Sequence, residues 1–226
     1  MNEIGTFDIL GPNMIGPSSS HTAGALKIAF IAGKMVKAKP VKVKFVLYGS
    51  FARTYHGHGT DRALVGGILG YHPDDERIRD SFDHAKEAGL SFEFVEDFED
   101  KEIYPNTVDI YVTDEEGATM SLQGKSIGGG NAVITKLNGV DVELSGNYTT
   151  MIVEHIDKKG PLAFVTTVLS AYDLNIGSLR LYRESKGKIA YAIIEVDTNV
   201  KESVVSALSG FEAVRNVVLV PAIKLE

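Results

Sequence analysis

The last third of the chain alternates strand-like and helix-like segments in a fixed order, which constrains the fold more than any other feature. Residues 149–156 are rich in β-branched residues, and residues 161–172 then carry apolar side chains at helical spacing. Pro161 suits the first position of that helix, because its missing N–H would be unpaired there anyway. A second helix begins at Asn199 and ends at Gly210. The predicted elements are strands 149–156, 176–182, 189–196 and 214–223 and helices 161–172 and 199–209.

This order, strand-helix-strand-strand-helix-strand, defines the split βαβ or ferredoxin-like unit. In the preceding α+β region, a helix at 23–36 is apolar on nearly every face and is therefore predicted to be buried. A strand at 41–47 alternates Val and Lys, which predicts one buried face, and a short helix follows at 62–69. Further strands are predicted at 92–95, 107–112 and 132–137. The chain is thus predicted to be α+β, with domains at 1–147 and 148–226.

Cysteine is absent from all 226 residues. Its absence excludes a disulfide framework, a Cys-ligated zinc site, a thiol nucleophile and an iron–sulfur cluster held by this chain alone. The sequence shows no secretory leader, and no apolar run approaches the roughly 18 residues of a membrane span. We therefore expect a cytoplasmic protein without a membrane partner.

Charge is spread unevenly along the chain, whose formal net charge is −7. Residues 61–148 contain seven basic and 19 acidic side chains, whereas residues 1–60 contain seven basic and two acidic ones. The acidic middle argues against a nucleic-acid-binding face. The basic, histidine-containing first quarter is the better place to look for an anionic ligand.

A hydroxyl-rich segment leads into the predicted buried helix, with the sequence GPSSSHT at residues 16–22. The free N–H groups of the helix start, the helix dipole and the hydroxyls together favour a carboxylate. Plain capping is the alternative, but one serine suffices for a cap. Three serines and His21 exceed that need, which predicts a functional role for the segment.

A second histidine-containing segment surrounds His58, which lies between two glycines where backbone can approach a ligand closely. Thr60 or Asp61 is expected to cap the short helix that follows. A neutral imidazole is the usual proton carrier near pH 7. A metal site formed by His56 and His58 with His21 or Asp61 is the alternative, although two histidines two apart on an extended strand would point in opposite directions.

A third segment contains Gly-Lys-Ser at residues 124–126. A P-loop needs four residues between its glycines, whereas Gly117 and Gly124 enclose six, and three glycines follow where a helix should begin. Nucleotide binding is therefore rejected. Two interpretations stay open: a flexible turn between strands, and a tight loop beneath a ligand or a neighbouring domain.

The blocks at residues 16–24, 58–62 and 126–130 occur in this order ahead of the C-terminal unit. Together they resemble the β subunit of iron–sulfur-dependent L-serine dehydratase, over almost the whole chain. The first domain resembles the allosteric-substrate-binding domain that some phosphoglycerate dehydrogenases also contain. The C-terminal unit resembles an ACT domain, a regulatory module that binds amino acids.

The resemblance implies a reaction in which L-serine loses water and yields pyruvate and ammonia. A separate cysteine-containing α subunit would supply a [4Fe–4S] cluster, so this chain itself binds no metal. His58 would transfer a proton, His21 would position or polarise the substrate, and Thr60 would join them in the catalytic set. The remaining predicted substrate-binding residues are Ser18, Ser19, Ser20 and Asp61. Asp61 could instead orient His58 or cap a helix, and capping is the preferred alternative.

The ACT resemblance implies an effector site and homodimer contacts through the C-terminal domain. The effector would lie near a turn and the start of the second strand of that domain. Turn chemistry alone is the alternative explanation for the glycine and proline of that turn. The predicted effector-binding residues are Asp157, Gly160, Pro161, Asn175 and Ile176.

Two rival functions belong to other classes. One is a regulatory protein that senses an amino acid, against which the two histidine segments speak, because sensing needs no proton carrier. The other is a stand-alone metallohydrolase that uses His21, His56 and His58, which metal analysis of the isolated chain would distinguish.

Overall fold

The computed structural model describes residues 13–100 and 102–223, which form two compact units. The first unit ends at Asn138 and the second comprises Gly139–Ile223. The expected boundary lies between residues 147 and 148. The division at Asn138 assigns to the second unit a short strand, Val140–Leu144, that the sequence analysis did not predict.

The first unit combines helices with strands that lie side by side in the order β2-β1-β3-β4-β5. β1 pairs with β2 in parallel, and the pairs β1–β3, β3–β4 and β4–β5 are antiparallel. A π-helical turn, Ser19–Ala23, precedes the first α-helix, and a 3-10 turn occupies Glu76–Asp80. The helices are α1 (Gly24–Met35), α2 (Gly49–Thr54), α3 (Thr60–Ile68) and α4 (Ser81–Glu87), and the strands are β1 (Pro40–Tyr48), β2 (Ser91–Asp97), β3 (Thr107–Asp114), β4 (Thr119–Gly128) and β5 (Asn131–Leu137).

Helix α1 is the centre of the first unit, and its predicted burial is confirmed. Every residue from Gly24 to Ala32 is buried, including the side chain of Lys27, whose pKa burial lowers to about 8. Its sides contact β4 and α3, and glycines stand where the elements approach most closely. A methyl group on Gly24 would overlap Ser126 Oγ, and one on Gly124 would lie 2.5 Å from Ile28 Cγ2.

Strand β1 shows the predicted alternation. Val43, Phe45 and Leu47 are fully buried, whereas Lys42 is exposed and Lys44 is half-buried. Since successive side chains of a strand point to opposite faces, the apolar face of β1 lies in the core and the lysines lie on the other face.

The predicted turn between strands is present only at the end of the segment 123–130, because its Gly-Lys-Ser residues form part of a strand. Residues 124–126 lie within β4 and pair with both β3 and β5. The tight turn is confined to Gly129 and Gly130, which have positive φ angles of 60° and 77° and lead from β4 into β5. Gly124 reads as a loop residue in the sequence, but here its missing side chain makes room for Ile28.

The second unit contains the predicted order of elements, strand-helix-strand-strand-helix-strand, which is confirmed. Its four-stranded antiparallel sheet has the order β10-β7-β9-β8. The core comprises Met151, Val153, Val165, Ile194 and Leu208 with their apolar neighbours. The elements are β6 (Val140–Leu144), β7 (Thr149–Ile156), α5 (Pro161–Ala171), β8 (Ile176–Arg183), β9 (Ile189–Val196), α6 (Glu202–Ser209) and β10 (Val214–Val220).

Two details of the second unit correct the sequence analysis. Helix α6 begins at Glu202 after Lys201, and not at Asn199, because Lys201 still has extended backbone angles. The last strand ends at Val220 and not at Ile223. Pro161 occupies the first position of α5, as predicted.

Within residues 13–100 and 102–223, no helix has the length and apolar character needed to cross a membrane.

The contact between α1 and α3 predicts opposite effects for two adjacent glycines of α3. A Cβ atom on Gly67 would overlap the Leu26 carbonyl oxygen and lie 2.7 Å from Ala29 Cβ and 2.8 Å from Phe30 N. Because two of these are backbone atoms of a buried helix, we expect Gly67→Ala to lower the free energy of unfolding by about 1–3 kcal/mol. Urea denaturation followed by circular dichroism measures this change.

Gly66→Ala is the matched control on the same helix. Its Cβ atom would contact only side chains, 3.3 Å from Tyr71 Cδ2 and 3.4 Å from Ile78 Cγ1, which can adjust. Alanine also favours a helix over glycine by about 0.8–1 kcal/mol. We therefore expect Gly66→Ala to remain within about 1 kcal/mol of the wild type, and equal losses for both variants would contradict this account of the helix contact.

Candidate functional site

The first element of the site is the π-helical turn that carries His21 into α1. Ser18 Oγ accepts a hydrogen bond from the His21 N–H at 3.2 Å, and the Thr22 N–H donates to the Ser18 carbonyl oxygen at 2.8 Å. Ser18 is thus the cap of the turn. The other two serines are free of that task, which agrees with the expectation that capping does not account for all three.

His21 has a hydroxyl at each ring nitrogen. Its Nδ1 atom lies 3.0 Å from Ser20 Oγ and 3.4 Å from Ser18 Oγ. Its Nε2 atom lies 2.8 Å from Oγ of Ser50, the second residue of α2. The imidazole therefore bridges the start of α1 and the start of α2.

The structure brings the two predicted catalytic histidines together. The ring centroids of His21 and His58 lie 4.8 Å apart with their planes at 42°, and the edge of Phe51 closes another side of His21 at 5.5 Å. Both histidines are half-buried. Among the described residues, neither ring nitrogen of His58 makes a hydrogen bond, so this imidazole is available to a ligand.

Backbone hydrogen bonds hold His58 in place. Its N–H donates to the Thr54 carbonyl oxygen at 3.1 Å, and its own carbonyl oxygen accepts from Thr22 Oγ1 at 3.0 Å. The next residue, Gly59, has a left-handed φ of 66°, which turns the chain into α3. Because Thr22 adjoins His21, the same contact fixes the spacing of the two histidines.

Burial lowers the pKa of His21 below its ordinary value, and the positive charge that His58 can carry lowers it further. His21 is therefore kept neutral near pH 7. Protonation of His21 opposes the folded state, so its contribution to stability is present above pH 6.5 and is lost as the pH falls below that value.

The expected helix cap by Thr60 or Asp61 is wrong. The N-cap residue of α3 is Gly59, no side chain caps it, and both Thr60 and Asp61 already belong to the helix. Asp61 instead accepts a hydrogen bond from the Arg62 N–H at 2.8 Å and lies 2.7 Å from His56 Nδ1. Asp61 thus orients the neighbouring histidine and not His58.

Thr60 is fully buried, and its hydroxyl has no hydrogen-bond partner among the residues that the structure describes. A buried polar atom without a partner costs stability, so such an atom requires an explanation. Because it lies two residues after His58 in the chain, the Thr60 hydroxyl is a candidate for a role in the site. The sequence could show that a threonine stands here, but not that its hydroxyl is left open.

Among the described residues, two further serines of the predicted segments make no hydrogen bond to a histidine. Ser126 is fully buried against Gly24, with its N–H donating to the Asn106 carbonyl oxygen at 2.9 Å. Ser19 lies half-buried in the π-helical turn. Ser50 was not predicted as a site residue, although its place directly after a predicted strand and before a glycine–histidine segment is a signal in the sequence.

The described residues contain no group of three or more His, Asp or Glu side chains placed to hold a metal ion. His56 is turned toward Asp61, whereas His58 faces His21. Thiolates are the usual ligands of iron–sulfur clusters, and this chain has no cysteine. Its donor atoms therefore do not fit the cluster, which would have to be held by another chain.

The predicted effector residues lie at two places in the second unit. Gly160 has a φ of 106° and precedes Pro161 at the start of α5. Asp157 is engaged with the Arg183 guanidinium at 3.2 Å, and Asn175 Nδ2 donates to Asp197 at 2.6 Å. Ile176 begins β8. Within residues 139–223, no hydrogen bond joins the Asp157 turn to the Asn175 segment.

Comparison with known proteins gives consistent results. Residues 6–138 match the family model described as serine dehydratase beta chain. The chain is 42% identical over 212 residues to an L-serine dehydratase beta chain from Peptoniphilus asaccharolyticus, covering 94% of this chain and 96% of that one. It is 45% identical over 204 residues to a probable L-serine dehydratase beta chain from Bacillus subtilis strain 168, with coverages of 90% and 91%.

A solved structure also matches part of the chain. The ACT domain of the GTP pyrophosphokinase from Chlorobium tepidum aligns with 31% of this chain and 94% of that structure, at 22% identity and a TM-score of 0.26.

The short distance between the two histidines predicts how the pKa of His21 responds to the loss of His58. We expect its pKa to lie below 6.5 in the wild type and to rise, while staying below 6.5, in His58→Asn, because burial remains after the neighbouring charge is removed. Histidine titration followed by NMR measures both values. His56→Asn is the control, since His56 does not act on the pKa of His21, and an equal rise in both variants would contradict the assignment.

Proposed function

This chain belongs to the serine dehydratase beta chain family, and we propose that it forms the β subunit of a two-chain L-serine dehydratase. The proposed reaction removes water from L-serine and gives pyruvate and ammonia. The observation that carries this proposal is the pair of imidazoles, His21 and His58, whose ring centroids lie 4.8 Å apart. A pure sensor of amino acids would have no use for such a pair.

The proposed elimination needs a Lewis acid at the serine hydroxyl, a base for the α-proton and an anchor for the carboxylate. A [4Fe–4S] cluster with an open coordination position supplies the Lewis acid when it is bound. We assign it to a cysteine-containing α subunit, because this chain has no thiolate ligand to offer. The name beta chain, carried by the relatives, agrees with such a partner.

We assign the proton transfer to His58. Within the part of the chain that the structure describes, its ring nitrogens are free of hydrogen bonds, whereas both nitrogens of His21 face hydroxyls. A general base must present a lone pair to the proton that it removes. His58 meets that condition, and His21 serves to position its neighbour and the substrate.

The substrate carboxylate and amino group would meet the hydroxyl-rich turn and Thr60. Ser18, Ser19 and Ser20 lie at the N-terminal end of the π-helical turn that leads into α1, and the positive end of a helix dipole favours an anion. We assign Asp61 a structural role and not a contact with the substrate. One of its carboxylate oxygens accepts a hydrogen bond from the Arg62 N–H, and the other lies beside Nδ1 of His56.

For the second unit we propose an ACT-type regulatory role with contacts between two copies of the chain. The strand and helix order supports this assignment, and Gly160 turns the chain with a positive φ directly before the first residue of α5. An effector near Gly160, Pro161 and Ile176 would have to compete for Asp157 and Asn175, which hold Arg183 and Asp197.

Anaerobic co-expression with a cysteine-containing candidate partner tests the proposed reaction. We expect a complex that releases pyruvate from L-serine, and we expect His58→Ala in that complex to lower kcat by about a hundredfold or more, since general acid–base catalysis contributes about 10²–10⁴-fold. Pyruvate formation measures both results.

His72→Ala is the matched control for this experiment, because His72 is exposed and lies in a different loop. It should leave turnover unchanged. Full activity of the chain without a partner, or near-normal turnover of His58→Ala with an intact cluster, would overturn the respective proposal.

The variant Thr60→Val distinguishes the effect of the Thr60 hydroxyl on turnover from its effect on the free energy of unfolding. Valine keeps the shape and removes the oxygen that has no described partner, so the free energy of unfolding should stay equal or rise by up to about 1 kcal/mol. Turnover of the complex should fall by about tenfold or more, because the substrate loses one hydrogen bond of about 1–2 kcal/mol. Urea denaturation and the pyruvate assay measure the two effects.

Thr60→Ser keeps the hydroxyl and is the companion variant. It should retain more turnover than Thr60→Val while losing stability through the missing methyl group. A Thr60→Val chain that is both less stable and fully active would show that the hydroxyl serves the fold.

A further inference from the structure

We propose that Ser50 is the residue that positions His21, by holding the Nε2 atom of its imidazole at the end of β1. The inference deepens the proposed dehydratase function and rests on it, since it assigns a task within the same site. The contact between Ser50 Oγ and His21 Nε2, at 2.8 Å, is the shortest hydrogen bond that the imidazole makes.

The backbone of Ser50 is fixed on several sides. Its N–H donates to the Pro105 carbonyl oxygen at 2.7 Å, and its own carbonyl oxygen accepts from Thr54 Oγ1 at 2.8 Å. The preceding Gly49 has a left-handed φ of 52°, and a Cβ atom there would lie only 2.7 Å from Pro105 Cα. The hydroxyl of Ser50 therefore stands at a place that the sheet determines.

The other hydroxyls around His21 belong to its own turn. Ser18 and Ser20 lie three residues and one residue before it, so they move with the imidazole if the turn shifts. Ser50 is 29 residues away in sequence. It is thus the hydrogen-bond partner that ties the ring of His21 to another element of the unit.

Ser50 is not arranged as a nucleophile, although a serine bonded to a histidine can act as one. Covalent catalysis at an acyl group also needs free N–H donors for the developing oxyanion. The N–H groups of Ser50 and Phe51 both donate to the Pro105 carbonyl oxygen, at 2.7 and 3.2 Å, so neither is available. The Ser50 hydroxyl therefore serves the imidazole.

The contact with Ser50 fixes both the orientation and the tautomer of the His21 ring. A neutral imidazole has one N–H donor and one acceptor nitrogen, so the hydroxyls at its two nitrogens must take opposite roles. Removal of the Ser50 hydroxyl leaves Nε2 without a partner among the described residues. The ring can then turn and exchange its tautomers, and its alignment beside His58 is lost.

The first test is NMR on the full chain, with nitrogen chemical shifts of His21 reporting the tautomer ratio. We expect Ser50→Ala to change that ratio by at least about twofold, whereas Ser121→Ala should leave it unchanged. Ser121 is a half-buried serine on β4 and serves as the matched control. Circular dichroism confirms that each variant is folded.

The second test is turnover in the complex with the cluster-bearing partner. A displaced catalytic group can cost about a hundredfold in rate. We expect Ser50→Ala to lower kcat by about tenfold to a hundredfold, with KM changed by less than about threefold. Ser50→Thr, which keeps the hydroxyl, should recover most of the lost turnover.

An unchanged tautomer ratio in Ser50→Ala would overturn the inference, whether turnover is kept or lost. A lost turnover with that unchanged ratio would mean that Ser50 acts on the substrate and not through His21. If the wild-type complex does not convert L-serine, the proposed function fails, while the NMR comparison still decides the effect of Ser50 on His21.

Discussion

The close packing of α1 between β4 and α3 is the constraint on which the first unit depends. A helix with nine consecutive buried residues, Gly24 to Ala32, needs neighbours that approach its backbone from more than one side. Glycines make that approach possible: Gly24 and Gly124 on the sheet side, and Gly67 on the helix side. The same packing places the first residues of α1, and with them His21, at a fixed position relative to α2 and α3.

The sequence predicted the elements whose pattern is local and missed those that depend on distant partners. The apolar helix, the alternating strand β1 and the order of the second unit all follow from periodicity. Strand β4 was missed because its glycines are typical of a loop, and only the contact of Gly124 with Ile28 explains them. A contact between two separate elements leaves no periodic pattern in the sequence, so it cannot be predicted from periodicity.

The same contrast between local features and distant contacts applies to the residues of the site. Two histidines beside hydroxyls could be read from the sequence, and the structure places their rings 4.8 Å apart. The partner of Asp61 could not be predicted, because His58 is nearer to it along the chain, whereas the structure pairs Asp61 with His56. The role of Ser50 could not be predicted for a similar reason, since its link to His21 spans 29 residues.

The engagement of both ring nitrogens of His21 has a chemical consequence. An imidazole coordinates a metal ion through an unprotonated ring nitrogen. In His21, each nitrogen faces a serine hydroxyl, Ser20 on one side and Ser50 on the other. With a hydroxyl at each nitrogen, the ring has no free lone pair to offer a metal ion in this arrangement.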